Sequence, residues 1–223
     1  MKSYLAGIFI FTCIATTVFS ADDSAGRAQR LATEVWKASG GENWARVKEV
    51  AFTFVVDKEE KTVFSAQHLW NVPADTDEVK WKDKEGKEHH VTVDLATAPT
   101  EGEEKDAYAR WVNDSYWLLA PLKILDRGVQ LEAGETKAIG GVDCETLRIS
   151  FEKVGLTPSD QYLLYIDGQT KLLRAWDYIP ATGKGMQTTW EKYESFGGLK
   201  LATEHNFEGR TIKLVDIKVA TGE

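Results

Sequence analysis

The sequence predicts a mainly β protein of the α+β kind: a single curled antiparallel sheet of roughly ten or more strands, one helix ahead of it and a helical segment in its middle. Short runs with an apolar residue at every second position recur along the chain, separated by turn pairs such as Gly140-Gly141 and Gly197-Gly198. The connections between these runs are short, which makes successive strands antiparallel neighbours. Helical periodicity is confined to a stretch near the start and another in the middle.

Residues 1–20 read as a secretory leader rather than as part of the fold. Lys2 supplies a positive start, Leu5 to Phe19 is almost wholly apolar or small, and Val18 and Ser20 stand where a signal peptidase requires small side chains. The stretch is too short and wrongly flanked for a membrane span. Residues 21–223 are then one domain, placed in the periplasm or outside the cell. Cys144 is the one cysteine left, so no internal disulfide supports it. The formal charge of −8 becomes about −9 once Lys2 is removed. Phosphate backbones repel such a chain, which argues against a nucleic-acid partner.

The spacing predicts an amphipathic helix from about Ala25 to Ala38, with Ala28, Leu31, Ala32, Val35 and Trp36 on one face and Gly40-Gly41 as its stop. Strands follow. One puts Val50, Phe52, Phe54 and Val56 on a common face, the next Phe64, Ala66, His68 and Trp70. "EVKWKD" and "HHVTVDL" form a hairpin across "KEGK". Beyond Gly128 the runs are "VQLEA", "ETKAIG", "DCETLRISFE", "QYLLYID", "KLLRAWDYI", "MQTTWEKYES", "LKLATEHNFE" and "TIKLVDIKVA".

Between the two groups of strands lies "WVNDSYWLLAPLKILDRG", Trp111 to Gly128. The chain before it is acidic and then turns helical towards Trp111, and Asp114 or Ser115 is a candidate cap for a second short helix holding Trp117, Leu118 and Leu119, which Pro121 should end. Its apolar residues point in more than one direction, so it must be buried or cover a cavity.

Reactive constellations are missing from the sequence. His89 and His90 are adjacent and point to opposite faces of a strand, and His68 and His205 each stand alone, so a solvated or singly hydrogen-bonded histidine is the expected state. No nucleophile elbow or complete phosphate loop occurs; "GKG" at Gly183 is a hairpin turn. Cys144 reads as a small buried residue. Neither cofactor nor metal is expected.

The segment "NDSYWLLAPLKILDRGV", the leader, and the closing run from "YLLYIDGQTKLLRAWDY" to "GRTIKLVDIKV" together resemble bacterial outer-membrane lipoprotein-sorting-like proteins, the superfamily of the periplasmic carrier LolA and the acceptor LolB. The resemblance covers most of the chain after residue 20. It implies an incomplete β-barrel with helices as a lid over a hydrophobic cavity that shields acyl chains, and gives Trp111 to Leu125 the part of lid or plug. The acidic segment from Asp94 to Asp106 and the Trp-rich middle set this chain apart from the carrier.

A carrier of lipid or lipidated protein, with an envelope membrane partner, is thus the leading expectation. Its candidate ligand-binding residues are Phe52, Phe54, Trp70, Trp81, Trp111, Tyr116, Trp117, Leu118, Trp176 and Trp190. No catalytic residue is assigned. Two alternatives stay open: an enzyme that gathers carboxylates around His68 or His205 in a cleft, and an interaction module whose aromatics only fill a core.

Overall fold

The computed structural model describes residues 21–152 and 155–222. The expected leader, residues 1–20, lies outside them. Helix α1 (Ala21–Ala38) buries Ala28, Leu31, Ala32 and Val35, the face that the spacing picked out. It stops at Gly40, whose φ of 80° suits glycine alone and where a Cβ would collide with the Gly198 carbonyl. A 3-10 turn (Gly41–Arg46) then leads into the sheet.

The strands are β1 (Val47–Lys58), β2 (Lys61–Asn71), β3 (Thr76–Lys82) and β4 (Glu88–Asp94), followed after a helix by β5 (Val129–Ala133), β6 (Lys137–Ile139), β7 (Val142–Phe151), β8 (Gln161–Asp167), β9 (Leu173–Ile179), β10 (Met186–Thr189), β11 (Glu191–Phe196), β12 (Leu199–Phe207) and β13 (Arg210–Thr221). Every pairing is antiparallel, in the order β4-β3-β2-β1-β13-β12-β11 and β10-β9-β8-β7-β5, with β6 also on β7. The run "MQTTWEKYES" reads as one strand in sequence, but the structure divides it at Trp190. There the chain leaves β9 for β12: the Trp190 N–H still donates to Arg174, while the Thr189 hydroxyl oxygen already accepts from the Asn206 N–H. The two sections therefore continue into one another. Among the described residues no ladder joins β4 to β5, so the curled sheet stays open.

Alternation places the inner face. Val50, Phe52 and Phe54 of β1, Ala66, His68 and Trp70 of β2, and Leu199, Leu201 and His205 of β12 are all buried. The opening is filled by helices, with α1 against β5 and a long helix against β3, β4 and β12. Cys144 is buried with Tyr165 and Ala175 in a small separate cluster.

The middle of the chain departs from expectation. In place of a short capped helix, one helix, α2, runs from Gly102 to Lys123. Asp114 and Ser115 lie in its interior and are buried, and Pro121 sits inside its last turn. The physical reason is local. Proline here removes the hydrogen bond its missing N–H would make to the Trp117 carbonyl and sets its ring against that carbonyl. That carbonyl also lies against the His205 ring. Continuing the chain helically past Pro121 buries Leu122 and Ile124, which offsets that cost. Glu103 and Glu104 in the first turn and Lys123 in the last suit the helix dipole.

Candidate functional site

Helix α2 runs inside the curl of the sheet and leaves space on two sides. The first is a cavity of about 520 Å³. Its wall is formed by Tyr108, Trp111, Val112, Tyr116 and Trp117 of α2, by Phe151 of β7, Tyr162 of β8, Trp176 and Tyr178 of β9, and by Met186. The rings are packed on one another: Tyr162 to Trp176 at 4.6 Å, Trp117 to Trp176 at 4.9 Å and Tyr116 to Trp176 at 5.8 Å between centroids. Such a wall is apolar and stiff, which fits a site for greasy ligands. Lys123, Asp126 and Arg127, from the end of α2 and the turn after it, also line it.

The second space is a cleft of about 480 Å³, bordered by Phe54, Phe64, Arg110, Asp114, Phe207 and Arg210 among others. Trp117 and Asn113 border both spaces, so α2 is the partition between them.

Of the ten residues expected to bind ligand, Trp111, Tyr116, Trp117 and Trp176 meet around the first cavity. Phe54 borders the second cleft. The others lie behind or beside these walls. Phe52 is buried and stacks on the His68 ring at 4.6 Å. Trp70 backs Trp111 at 5.4 Å. Trp81 stacks on His89 at 4.7 Å and takes the Arg110 guanidinium at 4.8 Å. Leu118 is in the core, and Trp190 is wedged between Trp176 and His205. Sequence reasoning missed Tyr162 and Tyr178. They face each other across β8 and β9, a pairing visible once the register is known.

Behind the cavity wall lies a buried bridge of three residues. His68 of β2 contacts Asp77 of β3 through Nδ1 at 2.7 Å, and Asp114 of α2 through Nε2 at 3.0 Å. All three side chains are almost completely removed from solvent. The expectation of a solvated or singly bonded His68 is therefore corrected: the ring is held at both nitrogens. Burial alone would push its pKa down, but the two carboxylates more than offset that and raise it to about 9. His68 is thus a cation whose two N–H groups both donate, with no lone pair left to accept a proton. Burial pushes the Asp77 carboxyl up. Arg110, one helical turn before Asp114, adds positive charge on the same side, clamped between the Phe64 and Trp81 rings. The bridge fixes the α2 partition to the sheet.

His205 is buried apart from this group and bonds to the Thr189 carbonyl at 3.1 Å through Nδ1. Burial lowers its pKa to about 4, so it is neutral. His89 lies between Asp83 and Glu103, and His90 bonds Glu78 on the opposite face of β4. Among the described residues no three His, Cys, Asp or Glu side chains converge as a metal site needs.

The two buried histidines bend the pH dependence of stability in opposite directions. His68 has a raised folded pKa, so its contribution is complete below about 6.5 and is lost as pH rises through about 9. His205 has a depressed one, so its contribution is complete above about 6.5 and is lost as pH falls towards about 4. Thermal unfolding across pH 4–10 is expected to peak near 6.5, each flank descending by a few kcal/mol. In H68Q the alkaline flank should flatten while the acid flank persists. An unchanged alkaline flank in H68Q means that His68 is not the group that titrates.

No protein-family model matches the chain, and no curated protein does. Solved structures match it over nearly its full length at low identity. A LolA superfamily protein from Nitrosomonas europaea aligns with a TM-score of 0.53 and 10% identity, covering 88% of this chain and 94% of that one. A putative outer membrane lipoprotein-sorting protein domain from Vibrio parahaemolyticus gives 0.50 and 12%, covering 89% and 94%. A DUF1329 family protein from Desulfovibrio piger gives 0.50 and 12%, covering 90% and 95%. The fold is LolA-like: an open, curled antiparallel sheet holding helices in its concavity.

Proposed function

We propose that this chain is an exported, non-catalytic binding or carrier protein that shields an apolar ligand, a lipid or the acyl chains of a lipidated protein, in the cavity beneath α2. The observation that carries this reading is the cavity itself, about 520 Å³ walled by stacked aromatic rings. That volume is within the range of small-molecule sites, and each methylene buried there is worth about 0.8 kcal/mol. The LolA-like fold and the lipoprotein-sorting name of one structural neighbour point the same way. An interaction module with a filled interior fits less well, because the interior holds space. Catalysis lacks support from the histidines: His68 has no free lone pair, and His205 is enclosed by rings. The leader read at residues 1–20, with no described helix long and apolar enough to cross a membrane, agrees with a periplasmic carrier.

Gentle-condition mass spectrometry of residues 21–223 purified from the native envelope, followed by organic extraction, tests this directly. A lipid or acylated peptide is expected to co-purify. Val112→Trp, which places bulk in the cavity from a half-buried position of α2, should abolish uptake with little change in stability. Ligand-free protein that takes up no added lipid would remove the carrier reading.

A further inference from the structure

Charge around the cavity is distributed against the trend of the chain. The protein carries −8 overall, yet the charged residues in this wall are two cations and one carboxylate: Lys123, Arg127 and Asp126. The carboxylate only partly answers them. Its distance from Lys123 Nζ is 3.7 Å, a loose contact, and it is one carboxylate against two cations. Arg127 makes no ion pair among the described residues, and its side chain is exposed. Lys123 is half-buried, with its ammonium over the Trp111 ring at 5.7 Å and the Trp70 ring at 5.9 Å. The last carbonyls of α2 favour cations here, so part of this positive charge compensates the helix end. Arg127 stands beyond the helix and is in excess of that need.

Apolar rings and surplus cations on one cavity wall call for a molecule with an apolar chain and a negative head.

We infer that the ligand is an anionic amphiphile, an acyl or alkyl chain ending in a carboxylate or phosphate, with its chain among Tyr116, Tyr162 and Trp176 and its head held by Lys123 and Arg127. This rests on the carrier reading and narrows it: a neutral lipid would leave the cations unanswered. Dodecanoate, dodecyl phosphate and 1-dodecanol share one chain and differ in the head. Their binding to the mature chain, each below its micellar limit, can be followed by intrinsic tryptophan fluorescence.

At least one anion is expected to bind about tenfold more tightly than the alcohol, equivalent to one well-placed charge interaction. The K123Q/R127Q double variant should lose that preference, its ratio of anion to alcohol affinity falling to about one. R127Q alone, an exposed change without a folding burden, should lose a measurable part of it. Tighter binding of dodecanoate assigns a carboxylate head, and of dodecyl phosphate a phosphorylated one. Equal affinity for all three, or a preference that survives in K123Q/R127Q, overturns the anionic assignment and leaves the carrier reading standing. Failure of all three to bind overturns both.

Discussion

Replacing Asp114 with alanine is expected to destabilise the protein by about 3–5 kcal/mol, the usual cost of removing one partner from a buried ion pair. Asp114 accepts from His68 Nε2 in the interior, and without it a buried imidazolium keeps one N–H unpaired. The damage should be concentrated in α2. Asp114 is the helix's link to His68 and through it to Asp77, so amide protection from hydrogen exchange should fall first along α2. The combined variant H68F/D77L/D114L removes all three polar groups and should regain much of the loss, because apolar side chains of similar volume can replace a buried charge group. Urea unfolding of the single and combined variants separates the cases. If D114A costs less than about 1 kcal/mol, the bridge does not hold α2.

Trp176→Ala should be about as severe, near 3–5 kcal/mol. The indole is 1% exposed and lies within 6 Å, centroid to centroid, of Tyr116, Trp117, Tyr162 and Trp190. Those rings belong to a helix, a strand and the junction between the sheet's sections, so they cannot all close in on the space left. For a chain of this size the loss corresponds to a fall in Tm of roughly 6–20 °C, measurable by calorimetry. Trp176→Phe retains a ring and should lose clearly less. Comparable Tm values for W176A and the parent would show that the wall collapses freely, which a stiff aromatic cavity should not do.

Much of the fold was legible because it is written in local alternation. The inner faces of β1, β2 and β12 follow from period two, and nearly every run after Gly128 is a strand. What failed was local logic applied to α2. Pro121 reads as a terminator, but burial of its neighbours and the His205 ring let the helix continue through it. The cavity was legible only in part. Trp111, Tyr116 and Trp117 announce themselves in one segment, whereas Tyr162 and Tyr178 look like ordinary strand aromatics until the sheet curls. The bridge joins residues 9 and 46 positions from His68, beyond any motif. A signal existed nonetheless. His68 alternates with Ala66 and Trp70, and Asp77 with Val79 and Trp81, so both polar side chains share a face with residues bound for the core. Two inward polar groups on neighbouring strands must find each other or another partner.

The pairing of β1 with β13 has a consequence for how the molecule is made. Asp57 receives the Lys213 ammonium from 156 residues away, and β1 lies between β2 and β13 in the middle of its section. During synthesis from the N-terminus the first hairpin can form early, but one long edge of β1 stays unsatisfied until the final strand emerges. Such distant closure is slow, since the entropy of a long loop must be spent before the contact forms. The nascent chain therefore remains open and threadable until its last strand is released. Late closure here follows from strand order alone.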